Sequence, residues 1–207
     1  LVTGPSKTGK TTLVSRVAQD LDLEIIDIRC DKDLSSTDFW RSALEKVRFE
    51  HETGATEGSK FETSFGGKIG GKLGWAWLAG ISGEVSTNLK GENSEEIARE
   101  RILSKPSPNH LIPVLKNLPY ILIVEDFHYL SDEVRATIFQ QWKVFVDDEV
   151  SVVILGTTHH ACDLAYANKD LVGRVSKIDL TTWGTSELKQ IVEKGATVLN
   201  VIVDGKQ

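Results

Sequence analysis

The run Gly4-Pro5-Ser6-Lys7-Thr8-Gly9-Lys10-Thr11 has the Gly-x4-Gly-Lys-Thr spacing of a phosphate-binding loop. Its glycines let backbone N–H groups curl around an anion, Lys10 has the reach to meet the β and γ phosphates of a nucleoside triphosphate, and the Thr11 hydroxyl is placed to ligate Mg²⁺. Gly4 to Thr12 is therefore the expected nucleotide-binding segment, with ATP and Mg²⁺ as its ligands. No motif for the edges of adenine or guanine accompanies it, so ATP and GTP stay open on the residues alone. Leu13, Val14, Val17, Ala18 and Leu21 follow at helical spacing. The loop thus opens onto a helix N-terminus, whose dipole favours negative charge.

A second chemical feature lies more than a hundred residues on. Tyr120-Ile121-Leu122-Ile123-Val124 is an unbroken apolar run, of the kind a parallel sheet buries on both faces, and it ends on two acids, Glu125 and Asp126. In phosphoryl transfer by proteins with such a loop, an acid at the end of an apolar strand holds the metal and a second polar group orients the attacking water. Successive residues at a strand end point in different directions, so two adjacent carboxylates can divide these roles. The plain alternative is a solvated acidic turn, and the upstream loop favours the catalytic one. His128, His159 and His160 do not make a zinc site: the adjacent pair shares no face, and no cysteine or acid cluster completes a ligand set.

The elements that must position these groups read as alternating strands and helices. A strand of which only Leu1 and Val2 precede the loop leads into a helix over 12–20. A strand over 23–28 follows, then a helix over 38–49 capped by Ser36 or Thr37 that turns Phe39, Leu44 and Val47 to one side. Helices from Ser94 to near Pro106 and onward to Asn117 precede the acid-tipped strand. Ser131 opens a helix to Val146. Strands over 152–155 and 175–180 and a helix over 186–194 complete the pattern. Such alternation predicts an α/β fold with a parallel central sheet covered on both faces.

Composition bounds the rest. The chain has 207 residues, 40% of them hydrophobic, and a formal net charge of −6. That is enough for one sizeable core and gives no global pull toward nucleic acid. Cys30 and Cys162 stand far apart without metal-ligand spacing, which fits a reducing, cytoplasmic setting. No apolar run reaches the ~18 residues of a membrane helix. The chain contains no Met and begins two residues before the loop motif, so the expectation is a piece of a longer protein whose first strand is truncated at the N-terminus and whose other domains are partners.

Ten of the 17 glycines fall between Gly54 and Gly91, interleaved with Phe61, Phe65, Trp75 and Trp77. Aromatics argue against a disordered linker and glycines against a regular helix. The expectation for 54–93 is an inserted Gly-rich β-hairpin or pair of extended arms. Its aromatics either touch another protein surface, which is the preferred reading, or pack on their own domain. With Lys68 and Lys72, contact with a nucleic-acid strand is a third, less favoured use.

Taken together, the chain resembles the AAA+ and STAND ATPases, a branch of P-loop proteins, over nearly its whole length outside the insertion. The resemblance rests on the Walker A run Gly4 to Thr11, the Walker B run Ile121 to Asp126, the polar cluster Thr157 to His159 and Arg174 before the last strand. It implies a P-loop NTPase three-layer sandwich, ATP hydrolysis with Mg²⁺ held by Thr11 and Glu125, and Asp126 as the group that activates water. It also implies a sensor role for Thr158, with Thr157 and His159 as competitors. Arg174 would be a finger that reaches a neighbouring copy's nucleotide, and so the chain would form a homo-oligomer. Bacterial signalling, defence and DNA-transaction ATPases all share this look. Two departures stand out. Walker B ends Glu-Asp instead of the family's usual Asp-Glu or Asp-Asp, which leaves slow hydrolysis or a bind-and-hold switch open. Residues 184–207 are too few for the complete helical lid.

Overall fold

The computed structural model describes residues 1–49, 73–83, 94–156, 173–180 and 183–201. In chain order these form β1 (Val2–Thr3), α1 (Lys10–Asp20), β2 (Glu24–Arg29), α2 (Ser36–Glu45), α3 (Trp75–Ile81), α4 (Ser94–Ser104) and α5 (Pro108–Asn117). Then follow β3 (Tyr120–Glu125), a 3₁₀ turn (Phe127–Tyr129), α6 (Asp132–Asp147), β4 (Val152–Gly156), β5 (Ile178–Asp179) and α7 (Thr185–Leu199). The five strands make one sheet in the order β2-β3-β4-β1-β5, and every pairing is parallel.

Alternation along the strands divides the core in two. Ile26 and Ile28 of β2, Leu122 and Val124 of β3, and Val152 and Ile154 of β4 face the layer built by α2, α3, α4, α5 and α6. Ile25, Ile121, Ile123, Val153 and Leu155 face the opposite layer, where Val14 of α1 packs on them. Helices thus flank both faces, which gives the expected three-layer α/β arrangement of a P-loop protein.

The larger layer is held by aromatics. Trp40 and Phe145 stack at 5.5 Å between α2 and α6, and the Trp40 indole donates to Gln141 Oε1 at 2.7 Å, so its one polar atom is satisfied within the core. Phe39 and Leu44 are buried as expected, and Val47 lies just past the helix in the same cluster. Burial of this many large side chains dominates the stability of the layer. Truncating a residue such as Trp40 to alanine costs about 3–5 kcal/mol.

Three sequence expectations need correction. Ser35, not Ser36 or Thr37, caps α2: its Oγ accepts from Asp38 N at 3.1 Å, and the helix ends at Glu45. The last helix runs five residues beyond Lys194, to Leu199. The insertion is not a hairpin where it is described, because Trp75–Ile81 is α-helical. The sequence Trp75-Ala76-Trp77-Leu78-Ala79 is free of glycine, and Glu95 Oε2 accepts the N–H groups of Trp75 at 2.6 Å and Ala76 at 3.3 Å, satisfying donors at the helix start. Trp77 is buried, and both Trp75 and Trp77 meet Phe49 edge-on. These two aromatics therefore serve their own domain's core. The rest of the insertion, including Lys68 and Lys72, lies outside the described residues.

Candidate nucleotide site

In an all-parallel sheet the C-terminal strand ends share one edge, where open α/β folds bind ligands. The loop leaves β1 at that edge and turns sharply. Gly4 has φ +153°, and a Cβ there would lie 2.4 Å from the Leu180 carbonyl oxygen, so only glycine fits. Gly9, with φ 84°, is the N-cap of α1, and no side chain caps that helix. Its first N–H groups are therefore free of a side-chain acceptor, as an anion site requires. Within the loop Thr8 Oγ1 donates to the Pro5 carbonyl at 2.9 Å. The Lys10 ammonium donates to the carbonyls of Gly4 at 2.9 Å and Pro5 at 2.7 Å, which folds its charge back over the loop.

The two motifs meet. Thr11 Oγ1 donates to Glu125 Oε1 at 2.8 Å, although β4 stands between β3, which carries Glu125, and β1, which leads into the loop and the helix of Thr11. The longer glutamate arm is what spans that gap; aspartate would fall short by about one bond, ~1.5 Å. Glu125 is largely enclosed, with its side chain 13% exposed. Asp126 is more open, and its backbone is left-handed at φ 56°, ψ 28°, a conformation aspartate tolerates better than most residues. The turn is pinned beyond it: Phe127 is fully buried and packs on Phe139 at 5.2 Å and Trp142 at 5.0 Å. Asp126 is thereby fixed between a strand end and a buried anchor.

Arg29 completes this edge, although no motif in the chain points to it. It is the last residue of β2, in register with Glu125. Its Nη2 lies 3.2 Å from Glu125 Oε2, and its Nε lies 3.9 Å from Asp126 Oδ2. Next to it Cys30 is buried and donates its backbone N–H to the Glu125 carbonyl at 3.0 Å. Burial, and secondarily the charges of Asp126 and Asp31, push the Cys30 thiol up to about 12, which makes it an inert packing residue at neutral pH. Trp183 was also missed. Its indole N–H donates to the Thr8 carbonyl at 3.3 Å.

One expected group stands elsewhere. Arg174 precedes β5 and so lies at the opposite, N-terminal edge of the sheet, where its Nη1 is 3.5 Å from Asp147 Oδ1 and both side chains are more than half exposed. Thr157, Thr158 and His159 lie outside the described residues, so the sensor assignment has no geometry.

The oxygen donors at Thr11 and Glu125 fit Mg²⁺, which is commonly held by one or two protein oxygens together with substrate phosphates and water. Among the described residues no cluster of three His, Cys, Asp or Glu forms an all-protein metal cage. Among them, too, no helix is long and apolar enough to cross a membrane. The family model described as "AAA domain" matches residues 1–162. No curated protein matches the chain.

Proposed function

Because the chain belongs to the AAA domain family, whose activity is nucleotide binding and hydrolysis, we propose that it hydrolyses ATP to ADP and phosphate in a Mg²⁺-dependent reaction. In this reading it is the motor or switch of a larger cytoplasmic protein. The observation that carries the reading is the 2.8 Å contact between Thr11 and Glu125, which joins the phosphate loop to the acid-tipped strand across 114 residues of sequence.

The residues divide the work as follows. Backbone N–H groups of Gly4 to Thr12 cradle the phosphates, and the Lys10 ammonium exchanges its loop carbonyls for β and γ oxygens. Thr11 and Glu125 hold Mg²⁺, which when bound offsets negative charge on the phosphates. Asp126 accepts a hydrogen bond from the attacking water and orients it toward the γ phosphorus. Thr158 reports the γ phosphate. Arg174 of one copy addresses the nucleotide of the next, which its position remote from its own loop supports. Prokaryotic signalling or defence is the setting proposed for this switch, on the resemblance alone.

The test is ATP turnover of the assembled protein with three variants. Lys10→Ala should lose binding. Asp126→Asn should keep binding and lose phosphate release, since asparagine also tolerates the left-handed backbone at this position. Arg174→Ala should regain turnover when mixed with Lys10→Ala protein, because each supplies what the other lacks. Turnover by Asp126→Asn at the wild-type rate would sink the water-orienting role.

Arg29 favours a second reading, a nucleotide-gated scaffold with little turnover, because its guanidinium faces both acids. Wild-type protein that binds ATP and oligomerises without releasing phosphate would establish it. A DNA-dependent ATPase, by contrast, would be stimulated by DNA and would lose that response when Lys68 and Lys72 are replaced.

A further inference from the structure

The segment after β5 touches the phosphate loop at two points. The Leu180 carbonyl abuts Gly4, and the Trp183 indole N–H is bonded to the Thr8 carbonyl at 3.3 Å. Trp183 is held from its other side as well, because it directly precedes Gly184, the N-cap of α7, whose N–H donates to Glu187 Oε2 at 2.7 Å. Yet the tryptophan remains 47% exposed. An indole fixed by its N–H and left half open presents an apolar surface suited to a planar partner.

Strand order indicates which partner. In the sequence β3-β4-β1-β5 the loop follows β1, the Thr11–Glu125 contact lies to its β4 and β3 side, and Trp183 lies to its β5 side. A triphosphate whose terminal phosphate lies near Thr11 and Glu125 runs along the loop and carries its nucleoside away from β3, toward β5. We propose that Trp183 is the stacking platform for the nucleobase of the bound nucleotide. The assignment rests on the nucleotide-binding reading of the loop and extends it to what the site selects. Every base has a π face, so this platform distinguishes a nucleotide from a bare phosphate chain and discriminates little between ATP and GTP.

Calorimetric titration of the whole chain with Mg²⁺ and ATP, GTP or inorganic tripolyphosphate tests it. Trp183→Ala should weaken both nucleotides by roughly tenfold or more and leave tripolyphosphate unchanged. Trp183→Phe keeps a ring but loses the N–H donor, and should retain most of the nucleotide affinity. Equal weakening of tripolyphosphate by Trp183→Ala would overturn the proposal, because the indole would then only brace the loop. So would an unchanged nucleotide affinity, or a loss in Trp183→Phe as large as in Trp183→Ala. If the wild type binds tripolyphosphate as tightly as ATP, the platform falls while phosphate binding stands. If it binds none of the three, the nucleotide reading falls and takes the platform with it.

Discussion

Arg29 and Glu125 face one another in register across β2 and β3, and they share one carboxylate with Thr11: the guanidinium lies 3.2 Å from Oε2, while the threonine hydroxyl donates to Oε1 at 2.8 Å. A positive charge at that distance competes with any cation for the same carboxylate.

Removing it should therefore ease metal entry. Arg29 is 75% exposed, so the pair is screened and is worth about 0.2–1 kcal/mol. Arg29→Ala should lower the Mg²⁺ concentration needed for half-maximal nucleotide binding by about 1.5- to 5-fold, read by calorimetry at fixed ATP. A higher Mg²⁺ requirement in the variant would show instead that Arg29 braces Glu125 in its metal-holding position.

Gly4 has two reasons to be glycine, its φ of +153° and the Leu180 carbonyl 2.4 Å from where a Cβ would stand. Gly4→Ala should cost about 1–3 kcal/mol in the unfolding free energy and displace the loop enough to weaken nucleotide binding. Gly9→Ala is a useful contrast: nothing lies within 4 Å of its added methyl, so only the strain of φ +84° remains. The two variants should separate in denaturant titrations, with Gly4→Ala the less stable.

The insertion is tied to the domain through Glu95. Glu95→Ala removes the acceptor for Trp75 and Ala76 and should cost about 1 kcal/mol, whereas Trp77→Ala opens a cavity in the core and should cost about 3–5 kcal/mol. Urea midpoints would rank them. If the order were reversed, α3 would be held by its cap and not by burial.

Stability should fall on the alkaline side. Burial raises the Cys30 thiol from an ordinary value of 9.0 to about 12, so between these values the folded protein binds more protons than the unfolded chain. The stabilising difference is complete below pH 9 and is lost as pH rises toward 12. Tyr120, whose hydroxyl is also raised by burial, acts in the same direction. Urea unfolding at pH 8 and pH 10.5 should show the loss. Cys30→Ala should lessen the pH dependence without removing it.

The features legible in the sequence are those written in consecutive residues. The phosphate loop, the apolar run of β3 with its acids, and the Ser131 cap of α6 each depend on a few neighbours, and the structure forms the loop turn, the strand and the helix there. The partnership of Arg29 with Glu125 depends on which strand lies beside β3, a fact of topology that no local pattern carries. Trp183 reaches Thr8 across 175 residues for the same reason. Glycine density averaged over 54–93 hides helix α3, whose first N–H groups are accepted by Glu95, 20 residues on at the start of α4. At the start of α2 three hydroxyl residues follow in a row, and the extended backbone of Ser35, at φ −80°, ψ 162°, decides which of them caps.

The placement of Arg174 and Lys10 at opposite edges of the sheet has a consequence for assembly. A surface that offers its arginine at one pole and its phosphate loop at the other can complete both sites in an antiparallel two-fold pair, or pass them along a head-to-tail series. In the head-to-tail case, where the arginine of one copy serves the loop of the next, repetition either closes into a ring or continues as a filament. In a ring every loop has an arginine, while a filament of n copies holds n − 1 completed sites and a lone loop at one end. The specific activity of filaments should thus rise with their length and level off, and that of rings should depend only on whether the circle is closed.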